Sequence, residues 1–195
     1  MIMRRVCVFC GSSFGARPAY AEAARDLGRL LVARDLELVY GGGNVGLMGV
    51  IADAVLAAGG RAIGVIPDAM VTREVSHQGL TELHVVESMH ARKAMMADLA
   101  DGFIAMPGGI GTLDELFEIW TWSQLGIHAK PLGFLDVDGY YSHLQVFLDH
   151  VATEGFMRER HRAMVAVEPD PVGLLAAMGG FEAPEPIWDR EVGKR

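Results

Sequence analysis

Basic residues are scarce in this chain. Lysine occurs only at Lys93, Lys130 and Lys194, and Lys plus Arg total 17 against 25 acidic residues, a net charge of −8. That balance excludes a whole-chain basic footprint for nucleic acid. The two cysteines are too few for a disulfide framework. No apolar run approaches the ~20 residues that a membrane span requires. The start, Met1 to Val6, runs straight into a strand-like segment and leaves no room for a signal peptide. No G-x-x-x-x-G-K-[ST] occurs, so a P-loop is excluded, and the seven histidines show no H-E-x-x-H or other metal spacing. The expectation is a soluble, cytoplasmic protein without a metal or other cofactor.

What is present is apolar and rich in glycine. Of the 195 residues 51% are hydrophobic and 24 are glycine, with a mean hydropathy of +0.24. That length and composition suit one compact domain. Short β-branched runs at 6–10, 37–40, 61–66, 83–86, 102–106, 132–135 and, more weakly, 164–167 alternate with helical patterns. Tyr20, Ala23, Ala24, Leu27, Leu30 and Leu31 recur at helical spacing, as do Leu47, Met48, Ile51, Ala54, Val55 and Ala58. This alternation predicts a doubly wound α/β domain: a parallel sheet with right-handed crossovers and helices on both faces. Residues 1–180 form that domain. The stretch 181–195, with Pro184 and Pro186, reads as a loosely held tail.

In such a sheet ligands bind beyond the carboxyl ends of the strands. Three loops there are rich in glycine or serine: Cys10-Gly11-Ser12-Ser13, Gly41 to Gly49, and Pro107-Gly108-Gly109-Ile110-Gly111-Thr112. Glycine admits an anion close to backbone, and a helix N-terminus offers unpaired amides. One such loop is as well explained by a tight turn, but three on one edge predict a phosphate-bearing ligand. Gly41, Gly43 and Gly46 also match G-x-G-x-x-G, with Asp68 beyond the next strand. The usual dinucleotide fingerprint follows the first strand, however, so this is weak support for NAD. Cys7 and Cys10 form C-x-x-C inside a strand, project to opposite faces, and read as core or lining residues.

Two helices carry the candidate chemistry. Met89, Met95, Met96 and Leu99 make one stripe, and Arg92 falls within it near the helix start. Such an arginine either snorkels or meets an anion, and its place near the glycine loops favours the anion. Thr112 and Glu115 have the spacing of a capping box, which would explain both without chemistry. Leu113, Leu116, Phe117 and Trp120 form a face for the sheet. Glu115, Glu118, Ile119 and Trp122 form a second, partly apolar face, which implies a covering subunit and a desolvated Glu115 at an interface.

Together these segments resemble one family. Cys10-Gly11-Ser12-Ser13, Tyr40-Gly41-Gly42-Gly43 through Gly49, Met89-x-x-Arg92-Lys93 and Pro107-Gly108-Gly109-x-Gly111-Thr112-x-x-Glu115 are similar to the Lonely Guy family. Those proteins are cytokinin riboside 5'-monophosphate phosphoribohydrolases, often labelled lysine decarboxylase-like. The similarity runs from about residue 5 to 178 and includes Trp122 to His128 and Asp138-Gly139-Tyr140-Tyr141.

The resemblance implies a Rossmann-like homodimer that hydrolyses the N-glycosidic bond of an N6-substituted AMP. The catalytic pair would be Arg92 and Glu115. Gly108, Gly109, Ile110, Gly111 and Thr112 would hold the phosphate, and Lys93, Glu74 and Thr121 would line the substrate site. Ser13 and Gly43, from the other two loops, join the substrate-binding set. A carboxylate suits the oxocarbenium-like ribosyl cation of such a cleavage, while Arg92 either clamps the phosphate or polarises the departing base. Two alternatives stand beside this: a less selective nucleoside 5'-monophosphate nucleosidase, and a non-catalytic nucleotide carrier. Pyridoxal-dependent decarboxylation is poorly supported, because Lys93 is the one lysine near the site.

Overall fold

A computed structural model describes residues 3–71 and 76–187. Seven parallel strands form one sheet: β1 (Arg5–Phe9), β2 (Glu37–Tyr40), β3 (Ala62–Pro67), β4 (Glu82–Val86), β5 (Gly102–Ala105), β6 (Leu132–Leu135) and β7 (Val165–Glu168). Their order is β4-β3-β2-β1-β5-β6-β7. Every predicted strand is present, with ends shifted by no more than one residue. β3 is buried at every position, as a strand covered on both faces must be, while β4 alternates because it is the sheet's edge.

The helices fall on two faces. One core joins alternate strand residues, Val6, Val8, Leu38 and Tyr40, to α1 (Pro18–Ala33), α2 (Gly46–Ala57) and α7 (Pro171–Gly179). The other joins Cys7, Phe9, Val39, Ile63 and Phe103 to α3 (Met89–Leu99), α4 (Ile110–Gln124) and α5 (Ser142–Thr153). A short helix, α6 (Glu159–Arg162), precedes β7. Cys7 lies in one core and Cys10 in the other, as period-2 alternation requires.

The strand order reverses between β1 and β5. There the crossovers leave in opposite directions, which is where a doubly wound sheet places a ligand site beyond its strand ends.

Two expectations need correction. Residues 181–187 are docked: Phe181 packs on the second core, and Ile187 N donates to Gln124 O at 3.0 Å. The faces of α4 also differ from the sequence reading. Thr112, Glu115, Leu116, Ile119, Trp120 and Ser123 are all buried within the single chain, whereas Leu113, Phe117 and Trp122 are half-buried flanks. At 100° per residue the Glu115–Ile119 and Leu116–Trp120 rows are adjacent, so one broad stripe faces inward. Burial of Glu115 therefore requires no second subunit.

Candidate active site

Three loops meet at Gly11. Its amide donates to Pro107 O at 3.1 Å and its carbonyl accepts from Leu47 N at 3.0 Å. The loop after β1 is thereby stitched to those after β5 and β2. Several glycines serve this closure. Gly46, at φ 53°, lies against the Ser12–Ser13 backbone, and Gly108 lies against Gly11 and Thr112, so a Cβ on either would collide. The Gly41–Gly46 segment is filled by protein rather than shaped around a pyrophosphate. Gly109 and Gly111 differ, with open space beside their Cα atoms. They lie at the start of α4, whose first amides have no acceptor within the helix.

α4 starts earlier than a capping box would place it. Its N-cap is Gly109, so Thr112 is the third helical residue and caps nothing. Glu115 lies a turn further in, on the buried stripe, and faces α3. On that helix Ser88 is the N-cap, accepting from Ala91 N at 3.1 Å, and Arg92 follows one turn later. Arg92 Nη2 stands 3.7 Å from Glu115 Oε1, with side-chain exposures of 6% and 10%. Arg92 therefore does not snorkel to water. A Cβ on Gly41 would strike its guanidinium, and its Nη1 lies 3.7 Å from Met89 Sδ. Arg92 Nε is shut off from solvent with no partner among the described residues. An unsatisfied buried donor of this kind costs on the order of 1–3 kcal/mol.

The pair lines a cleft of about 310 Å³ together with Ser12, Met48, Met70 and the start of α4. Of the predicted site residues, Arg92, Glu115, Gly109, Ile110, Gly111 and Thr112 line it. Gly108 and Ser13 line a neighbouring cavity of about 210 Å³ that shares Gly109 and has Tyr20 and Tyr140 in its wall. Gly43 is buried in a bridge to Ser76. Thr121 is exposed on α4, its hydroxyl donating to Phe117 O at 2.7 Å. Glu74 lies outside the described residues. Lys93 bonds instead across to α4, with Nζ 3.1 Å from Asp114 Oδ2 and 2.9 Å from Glu118 Oε2. Burial alone would lower its pKa, but the hydrogen bonds to Glu118 and Asp114 raise it overall.

Ser12, Met48 and Met70 were not anticipated in the cleft. Only Ser12 had a local signal, its place in the serine-rich exit of β1, and that signal does not separate it from Ser13. Cys10 also lines the cleft, yet burial pushes its thiol well up and the Glu115 charge adds to the rise, so it is a neutral wall.

A family model described as possible lysine decarboxylase matches residues 48–178. A cytokinin riboside 5'-monophosphate phosphoribohydrolase of Arabidopsis thaliana is 51% identical over 172 residues, 88% of this chain and 80% of that protein. A second from the same plant is 49% identical over 179 residues, covering 92% and 82%. The chain belongs to the Lonely Guy family. Solved structures extend the likeness of fold beyond this family. The molybdenum cofactor carrier protein of Chlamydomonas reinhardtii is 20% identical with a TM-score of 0.69, over 91% of this chain and 97% of that one. The molybdenum cofactor binding protein of Rippkaea orientalis is 22% identical with a TM-score of 0.68, over 92% and 97%. Within the Lonely Guy chain described here, the loops after β1, β2 and β5 meet at Gly11, and α3 and α4 supply the charged pair.

Proposed function

We propose that this chain hydrolyses the N-glycosidic bond of a cytokinin riboside 5'-monophosphate, an N6-substituted AMP, releasing the free base and ribose 5-phosphate. The observation that carries this reading is the buried Arg92–Glu115 pair beside the open start of α4. The amides around Gly109 to Thr112 and the positive end of the helix dipole suit a dianionic phosphate. Anchoring the 5'-phosphate there gives remote binding energy that orients the ribose over Glu115.

The Glu115 carboxylate then faces the positive charge that develops at C1' as the bond to the base breaks. The electron pair of that bond leaves with the base, which takes up a proton, and a water oxygen adds at C1'. Arg92 compensates the Glu115 charge, both side chains being largely withdrawn from water. Amine chemistry of the kind named in the family description has weaker support. The Lys93 amine is tied to two carboxylates and its pKa is raised, so it is a poor nucleophile.

We also infer a homodimer with the cleft near its interface. Met89, at the cleft, and Ile110, at its rim, are exposed apolar side chains that a second copy would cover. A cytoplasmic location fits two free, buried cysteines and the absence, among the described residues, of a helix long and apolar enough to cross a membrane.

The test incubates the protein, without metal or cofactor, with N6-isopentenyl-AMP, its riboside and AMP, and follows free base by chromatography. Base from the monophosphate and not the riboside is the expected result. Equal rates with AMP would replace the N6-selective reading by the broader nucleosidase, and tight binding without turnover would replace it by a carrier.

A further inference from the structure

Tyr140 is outside the residues assigned above, yet it touches the phosphate loop. It follows a tight turn in which Asp138 and Gly139 adopt φ 52° and 72°, at the exit of β6. Asp136 fixes this turn, its Oδ1 accepting from Tyr141 N at 2.6 Å and its Oδ2 from Gln145 Nε2 at 3.1 Å. The two tyrosines then reach back to the exit of β5: the Tyr141 hydroxyl donates to Met106 O and the Tyr140 hydroxyl to Gly108 O, each at 2.5 Å. The Tyr140 ring is held edge-on by Tyr20 of α1 and by Tyr141, with centroids 5.6 and 4.9 Å away.

In a trans peptide the C=O and N–H point in opposite directions. A hydroxyl that holds Gly108 O on the tyrosine side turns the Gly109 N–H to the other side. There Gly109 borders the cleft of Arg92 and Glu115. A hydrogen bond accepted at Gly108 O also polarises that peptide and makes its N–H a stronger donor.

We propose that Tyr140 is a positioning residue for the phosphate loop, its hydroxyl aiming the Gly109 amide, through Gly108 O, at the 5'-phosphate of the substrate. This rests on the proposed function, in which the start of α4 holds that phosphate. Tyr140→Phe keeps the ring between Tyr20 and Tyr141 and removes only the hydroxyl. The readouts are kcat and KM for N6-isopentenyl-AMP, the Kd for ribose 5-phosphate by calorimetry, and the melting temperature.

Loss of one hydrogen bond predicts a rise in KM and in the ribose 5-phosphate Kd of roughly three- to tenfold. The same role predicts kcat within about twofold and an unchanged melting temperature. A merely structural tyrosine would lower the melting temperature and kcat together. That pattern, or a KM and Kd equal to wild type, overturns the proposal and leaves the hydrolase reading intact. A wild-type protein that neither binds ribose 5-phosphate nor cleaves the monophosphate overturns both.

Discussion

Both ends of the sheet carry clefts lined with charge, and the larger one is at the end without the glycine loops. At the amino end Arg4, Arg5, Asp35, Glu37, Asp98 and Asp101 surround about 550 Å³. There the charges satisfy one another in half-exposed pairs, with Arg5 Nε 2.8 Å and Arg61 Nε 2.9 Å from the carboxylate of Glu37. At the carboxyl end the cleft is smaller, but Arg92 and Glu115 are withdrawn from water, and Gly109 and Gly111 leave backbone open. Size does not mark the site. Desolvated charge beside unfilled backbone donors does, because both cost stability unless a ligand uses them.

Exchanging one carboxylate for its amide at each end would break or sharpen this contrast most. Glu115→Gln is expected to lower kcat/KM on the order of 10³-fold with a near-native melting temperature. Glu37→Gln should leave base release untouched and cost at most about 1 kcal/mol, as half-exposed pairs do. Comparable activity losses in the two variants would erase the distinction.

Next in size is a pair of glycines within the site. Gly41→Ala drives a Cβ into the Arg92 guanidinium and should reduce kcat about 10²-fold by displacing it. Gly109→Ala meets open space, so it should fold as wild type and raise KM instead, by crowding the phosphate. Steady-state kinetics on the two variants separate these outcomes.

A smaller effect concerns pH. Burial lowers the pKa of His128 from 6.5, against a hydrogen bond to Ile119 O that favours the charged ring. Its Nδ1 accepts from Lys130 N at 3.2 Å, which only the neutral ring can do. The unfolded chain therefore binds more protons than the folded one below about pH 6.5, and stability should fall with pH through that window. Thermal melts between pH 7.5 and 5.5 should show a shallower slope in His128→Gln. The smallest effect is at Cys10. Iodoacetamide at pH 7.5 should leave it unlabelled in the folded protein, as read by mass spectrometry, because burial keeps the thiol neutral.

Much of this architecture is legible in local pattern. Strand alternation places Cys7 and Cys10 on opposite faces, the seven apolar runs are the seven strands, and the glycine loops sit on one edge because every strand of a parallel sheet exits there. These features repeat over a few residues, so sequence alone determines them. What only the tertiary structure decided are the encounters between elements. Arg92 meets Glu115 because α3 and α4 lie side by side on one face. Lys93 bonds across to Asp114, which is on the cleft wall, and to Glu118. Glu115 is buried by its own chain, and the Tyr140 hydroxyl finds a carbonyl 32 residues away. No helical or strand period encodes these contacts. They depend on where one helix crosses another and on which row of side chains that crossing turns inward, which is set by packing across the whole core.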